Sequence, residues 1–356
     1  MRLMSLMSWL RRWTHRKTIA VASSAVAAAA VGIGVSLALG GGGQPASHPV
    51  QRPTPTPTPT PAQGVAAGPL VSPFTGERVR SLGPVLAVKI DNIVYARPQT
   101  GLTRADIVYV LPVEGGLSRF LAIFSSHIPP VVGPVRSTRQ DDLEVLRQFG
   151  RPAFAYSGAQ TRLLKVVEHA HIVDLYAGLV SGYFRNYQRI APYNLYAQTQ
   201  TLLHEAKGAS KAHNIGFKFG PPPAGGRRTA RESVSYPSAS FTFTWSGSMK
   251  RWLIWTDGSR AGSTEGPQLS AATVVLQHTV VRTSGFLEAD RRPPYAETVG
   301  HGTAVVLRNG KAYRVKWSRP TADGGTTFTT LSGQPMTFAP GPVWIVLWGN
   351  RVAESG

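Results

Sequence analysis

The sequence predicts an α+β protein: an N-terminal mixed α/β domain with a central sheet and packed helices, then a smaller antiparallel β-rich domain, all behind a single N-terminal transmembrane helix. Three observations predict it. Residues 73–220 alternate short apolar runs with segments of helical period, residues 231–353 repeat strand-like runs with short turns, and residues 19–39 carry no charge. Layered packing of sheet and helix is the expected way to bury such faces.

The N-terminal segments come first. Residues 19–39, IAVASSAVAAAAVGIGVSLAL, would span about 31 Å as a helix, enough for a bilayer core. Arg11, Arg12, Arg16 and Lys17 precede this run, and no basic residue follows it until Arg52. The positive-inside rule then places residues 1–18 in the cytoplasm as a basic tail and everything after 39 outside. A cleaved signal peptide is the competing reading, and it exports the same remainder. Residues 40–72 hold GGGG and the run TPTPTPTP, which favours extended polyproline II and reads as a stalk.

In the first domain, VLAVKI (85–90), IVYVL (107–111), RFLAIF (119–124) and AFAY (153–156) are runs bounded by turn residues, as strands require. TRQDDLEVLRQF (138–149) starts with a Thr and an Asp three residues on, continues with Leu143, Leu146 and Phe149 at helical spacing, and is followed by Gly150. That pattern predicts a capped amphipathic helix. Residues 161–170 and 199–207 predict two more helices. Residues 221–230, with GPPPAGG just at their start, are the linker. Beyond it FTFTW, KRWLIW, ATVVLQH, GTAVVLR, AYRVKW, TTFTTL and VWIVLW predict strands, and Asn309-Gly310 predicts a two-residue hairpin.

Charge narrows the function classes. The chain of 356 residues has net charge +20, and from Pro69 onward 32 basic residues face 18 acidic ones, of which 24 are arginine. Such an excess attracts polyanions, and arginine suits forked recognition of phosphate or carboxylate. Export points to an anionic envelope polymer, a lipid headgroup or an envelope protein as partner, rather than nucleic acid. There is no cysteine, so disulfides, thiol catalysis and a lipidated cysteine are excluded. No metal or cofactor is expected: His169 and His171 lack further ligands at metal spacing, and no phosphate-loop, dinucleotide or Gly-x-Ser-x-Gly pattern occurs.

What remains is a set of polar residues near strand ends. Asp91, Asn92 and Arg97 follow the first strand, Asp106 opens the second, Glu114 closes it, Arg119 opens the third, and Arg136, Ser137 and Arg139 lead into the capped helix. Ligands prefer such crevices. The set is equally readable as an ion-pair network holding loops together. Asp91, Asp106 and Glu114 are the candidate acid or base groups for an envelope-active phosphotransferase or hydrolase. A structural or protein-interaction role is the third reading, with Trp252 or Trp255 as its surface aromatics.

The stretches DNIVYARPQTGLTRADIVY (91–109), VEGGLSRFLAIF (113–124), GPVRSTR (133–139) and APYNLY (191–196), together with VGHGTAVVLRNGKAYRVKW and PGPVWIVL, resemble the YerB-like family of bacterial exported lipoproteins. The resemblance covers most of residues 74–347 and implies a two-domain exported protein; the family is designated a domain of unknown function, so it implies no activity. It adds Asn194 to the ligand-binding set. Two departures stand out: members carry a lipid-modified cysteine where this chain has residues 19–39, and Tyr193 stands where the family has histidine. A mechanism with that imidazole as base is not available to this chain. By analogy of element order alone, Asp106 with Arg136 or Arg139 is similar to the LytR-CpsA-Psr phosphotransferases. The function expected is a membrane-anchored extracytoplasmic binding module for an anionic envelope ligand.

Overall fold

A computed structural model describes residues 69–287 and 293–349. The predicted tail (1–18), transmembrane segment (19–39) and most of the stalk lie outside them, and among the described residues no helix is long and apolar enough to cross a membrane.

The first strand, β1 (Leu86–Asp91), and the second, β2 (Ile107–Pro112), are buried along their whole length. Both read as near-continuous apolar runs because both of their faces are covered. Between them lies β3 (Ser118–Phe124), antiparallel to each, with Asp91 and Leu111 opposite Arg119. Strands β4 (Ala153–Tyr156) and β5 (Val173–Tyr176) extend the sheet beyond β1, in parallel. Helices α1 (Gln140–Leu146), α2 (Thr161–Glu168) and α3 (Thr199–Glu205) fall inside the three expected segments.

The capping residue of α1 sits one place later than the sequence pattern suggests. Asp142, rather than Asp141, accepts the Arg139 N–H (2.7 Å) and the Thr138 hydroxyl (3.1 Å). The reason is that Asp142 also receives the buried Lys89 ammonium at 2.6 Å, which fixes its direction.

The second half begins with β6 (Arg231–Tyr236), β7 (Ala239–Ser246) and β8 (Arg251–Thr256), an antiparallel meander. Then come β9 (Thr273–His278), β10 (Gly300–Arg308), β11 (Lys311–Arg319), β12 (Thr327–Thr330) and β13 (Val343–Trp348). The β10–β11 hairpin turns through Asn309 and Gly310, both at positive φ (50° and 69°), as the Asn-Gly signal requires.

These strands join the first-half sheet. With Arg227–Arg228 paired to β11, eleven strands form one sheet in the order β12-β11-β10-β9-β13-β2-β3-β1-β4-β5. The second half is antiparallel-rich as expected, with an exception at β13, which is parallel to β2 on one side and β9 on the other. VWIVLW is buried on both faces, and such a run carries no alternation to reveal its pairing. One face of the sheet is covered by α1 and α2, with Leu121 and Ile123 against Val145, Phe149, Leu163 and Val167. The other face is covered by the β6–β8 meander, where the Phe120 ring lies 6.1 Å from Phe241 and 5.3 Å from Trp344. Trp252, considered as a surface aromatic, is fully buried in this layer, and Trp255 is half-buried.

Candidate functional site

The carboxyl ends of β1, β2, β4, β9 and β13 all point to one edge of the sheet, because these five strands run in the same direction. Edges of this kind are where α/β sheets bind ligands. Three local structures bring charge there. The end of β1 delivers Asp91, whose carboxylate accepts the Asn92 N–H (2.8 Å) and the Ile93 N–H (3.3 Å). The turn after β2 delivers Glu114 through Gly115 and Gly116, at φ 70° and 71°. At Gly116 a Cβ would lie 2.6 Å from Pro237, so backbone shape and close approach both require glycine there. The third is residues 133–137, which continue beside the end of β1: Asp91 N–H donates to Pro134 O and Arg136 N–H to Lys89 O, at 2.9 and 2.8 Å.

These segments enclose a cleft of about 420 Å³ lined by Asp91, Glu114, Arg119, Arg136, Arg139 and Tyr193, with Ile93, Val113 and Leu117 as its apolar wall. Arg139 is committed: its Nε and Nη2 grip the two Glu114 oxygens at 2.6 and 3.0 Å. Burial would raise the Glu114 pKa, but the Arg139 hydrogen bonds and charge outweigh it and hold the carboxyl below its ordinary value. Arg119 donates from Nη1 to Ser137 O (3.0 Å) and lies 4.0 Å from Asp91. Burial, then the neighbouring Arg139 charge, pushes the Arg119 guanidinium down to about 10, so it is still cationic at neutral pH. Arg136 is different. Its Nε approaches Asp91 Oδ2 at 2.9 Å without hydrogen-bond alignment, its guanidinium lies over the Tyr193 ring at 5.4 Å, and among the described residues its side chain donates no hydrogen bond. Tyr193 is in turn stacked on Tyr95 at 5.8 Å.

Five of the sequence-derived candidates therefore converge: Asp91, Glu114, Arg119, Arg136 and Arg139. Four frame the cleft without entering it. Asn92 is buried and bonded to Ser118, Arg97 and Gln99; Arg97 turns away to Asp257 at 2.7 Å; Ser137 contributes its carbonyl; and Asn194, also buried, accepts from Arg185 at 2.8 Å. Asp106 is a correction. It opens β2 at the opposite end of the strand, 1% exposed, and caps the Ser125 and Ser126 N–H groups at 2.6 and 2.9 Å. No catalytic pairing of Asp106 with Arg136 or Arg139 survives that separation, and the analogy built on it fails with it. Tyr193 is the cleft residue that charge-based reasoning does not select; its signal was a departure from the family pattern. Among the described residues no three His, Asp or Glu side chains gather as metal ligands, and His169 bonds the Lys165 carbonyl at the end of α2.

Comparison with known proteins agrees with this architecture. Two family models match in order: the N-terminal domain of a protein of unknown function, DUF3048, over residues 74–213, and its C-terminal domain over residues 232–345. The chain belongs to the DUF3048 family. A relative from Bacillus subtilis (strain 168), named "Putative lipoprotein YerB", is 27% identical over 301 residues, covering 78% of this chain and 84% of the relative. The crystal structure of YerB protein from Bacillus subtilis superposes with a TM-score of 0.67 at 22% identity, covering 78% of this chain and 96% of that one. That likeness establishes the fold. Three arginines, Arg119, Arg136 and Arg139, line the strand-end cleft of this chain.

Proposed function

We propose that this DUF3048 protein is a membrane-tethered extracytoplasmic module that binds an anionic ligand of the cell envelope in the Arg119–Arg136 cleft. One observation carries the reading: among the described residues Arg119 and Arg136 face the single Asp91 carboxylate, and both keep donors that no described residue accepts. A buried or half-buried guanidinium with unspent donors is favourable when a phosphate or carboxylate supplies the oxygens. The name of the Bacillus relative supports an envelope location, and residues 19–39 serve as the tether in place of a lipid. An acid–base enzyme at this cleft has less to work with. Both Glu114 oxygens are held by Arg139, and the two Asp91 oxygens by backbone N–H groups and Arg136.

The test is calorimetric titration of the full-length chain with inorganic phosphate and with poly(glycerol phosphate), over a salt series. Affinity should fall with ionic strength, and Arg136→Ala should weaken both ligands by roughly 10-fold or more, the worth of charge-assisted hydrogen bonds. Arg136 is the arm of choice because removing Arg139 would strand a buried Glu114. Binding of neither ligand at low salt, or binding indifferent to Arg136, overturns the proposal.

A further inference from the structure

The turn at Val113 and Glu114 has a second side. Both residues line the arginine cleft, and both also line a separate slot of about 180 Å³ walled by Pro112, Gly115, Tyr236, Pro237, Val281 and Trp348. The slot lies at the junction of the two halves, beside the carboxyl ends of β2 and β13, and draws its walls from both. Its chemistry is the reverse of its neighbour's. Among the described residues Glu114 is its one charged wall, and that carboxylate is gripped by Arg139; the Tyr236 hydroxyl is spent on Leu347 O at 2.7 Å. What the slot offers is therefore mainly ring and aliphatic surface. Its volume is close to that of cavities of about 150 Å³ that hold a benzene-sized guest and stay dry without one.

Resting on the reading of the cleft as an anion site, we infer that the ligand is an amphipathic monoanion or phosphoester: its acid group meets Arg119 and Arg136, and a short alkyl or acyl group crosses the Val113–Glu114 wall into the slot. Charge and size both favour this occupant. Among the described residues Arg119 and Arg136 share the single Asp91 carboxylate, which leaves one positive charge for the acid group, and 180 Å³ admits a short apolar group but no long chain. Val113 and Glu114 are a wall of both compartments, so the two lie side by side and a ligand seated on the arginines has only that turn to cross.

The experiment uses the full-length chain and n-alkyl phosphates from methyl to hexyl, titrated calorimetrically. Methyl phosphate probes the cleft alone. Once the alkyl chain clears the wall, each further methylene should tighten binding by roughly 3- to 4-fold until the slot is full. Val281→Phe, which fills the slot, should leave methyl phosphate unchanged and flatten the series. Trp348→Ala, which enlarges it, should move the plateau to longer chains, so a folding failure of one variant leaves the other. Equal affinity for every chain length in the unaltered protein overturns the inference while the anion cleft stands. A rise that persists in Val281→Phe with an unmoved plateau in Trp348→Ala also overturns it. If no member binds, both the inference and the anion cleft fall.

Discussion

Arg136 rests on an aromatic ring rather than on a hydrogen bond, and that choice has a measurable consequence. Tyr193 presents its face to the guanidinium at 5.4 Å and is itself backed by Tyr95. Such a contact contributes about 0.5–2 kcal/mol while spending none of the Nη donors, which stay free for a ligand; Nε is buried against Asp91. Tyr193→Phe should then keep phosphate affinity within about 2-fold, whereas Tyr193→Leu should lower it by roughly 3- to 10-fold, with unchanged melting temperature as the control for folding. A loss in Tyr193→Phe equal to that in Tyr193→Leu would mean the hydroxyl, not the ring face, is what matters. Asp106 gives a prediction of the opposite kind, about stability alone. Burial raises its carboxyl to about 6, against the opposing Ser125 and Ser126 N–H groups, while the unfolded chain titrates near 3.9. A folded pKa above the unfolded one means the folded state holds the proton more tightly. This contribution to stability is complete below about pH 4 and is lost as pH rises through about 6, by up to about 3 kcal/mol. Asp106→Asn keeps an acceptor oxygen for the two N–H groups and cannot ionise. Urea unfolding at pH 4.5 and 7.5 should show a smaller decline for the variant than for the parent; identical declines would remove Asp106 as the cause.

Elements were legible in this sequence wherever one periodicity dominated. The strands through residues 85–90, 107–111, 119–124 and 153–156 and the three helices follow from apolar spacing and flanking turns, and the 300–319 hairpin follows from Asn309-Gly310. The placement of Asp91, Glu114 and Arg119 at strand ends was legible too, and they share one edge because β3 runs antiparallel between β1 and β2. Two things were not. The use of Asp106 as a cap for the Ser125 and Ser126 N–H groups depends on which turn packs at its end of β2, which residue type does not encode. The slot behind Glu114 is walled by Tyr236, Val281 and Trp348, residues more than 100 positions away in the chain, so no local pattern announces it. The turn that separates cleft from slot is the element most exposed to test. Gly116 at φ 71° would bring a Cβ within 2.6 Å of Pro237, and backbone strain of this kind costs about 1–3 kcal/mol. Gly116→Ala should lower stability by that amount and also weaken phosphate binding, because Glu114 and its partner Arg139 move with the turn. At Gly115 the nearest atom to an added Cβ is 4.0 Å away, so Gly115→Ala should show the φ cost without the clash and a smaller binding loss.

At the scale of the whole molecule, the two family-model segments meet inside a single sheet. Strand β13, from the second segment, lies between β2 of the first and β9 of the second, hydrogen-bonded to both. Arg319 adds a second tie: fully buried on β11, it donates to Thr298 Oγ1 (2.8 Å), to Gly324 O (3.0 Å) and to Glu144 O of α1 (2.7 Å). Burial lowers its pKa, yet the guanidinium remains the donor for acceptors from both halves. A core divided in this way has no natural plane of separation, so residues 73–349 should unfold cooperatively. The sequence supplies two probes that report on the halves separately. All six tryptophans after residue 69 lie in the second half, and α1, α2 and α3 lie in the first. Tryptophan fluorescence and amide exchange in α1 and α2 should therefore give coincident urea midpoints. Arg319→Leu, which leaves buried carbonyls without a donor, should lower both midpoints together, by about 3 kcal/mol of unfolding free energy. Midpoints that separate, with only the fluorescence transition shifted by Arg319→Leu, would show that the shared sheet does not couple the halves. The cleft and the slot would then have to be described as belonging to two independently folding units.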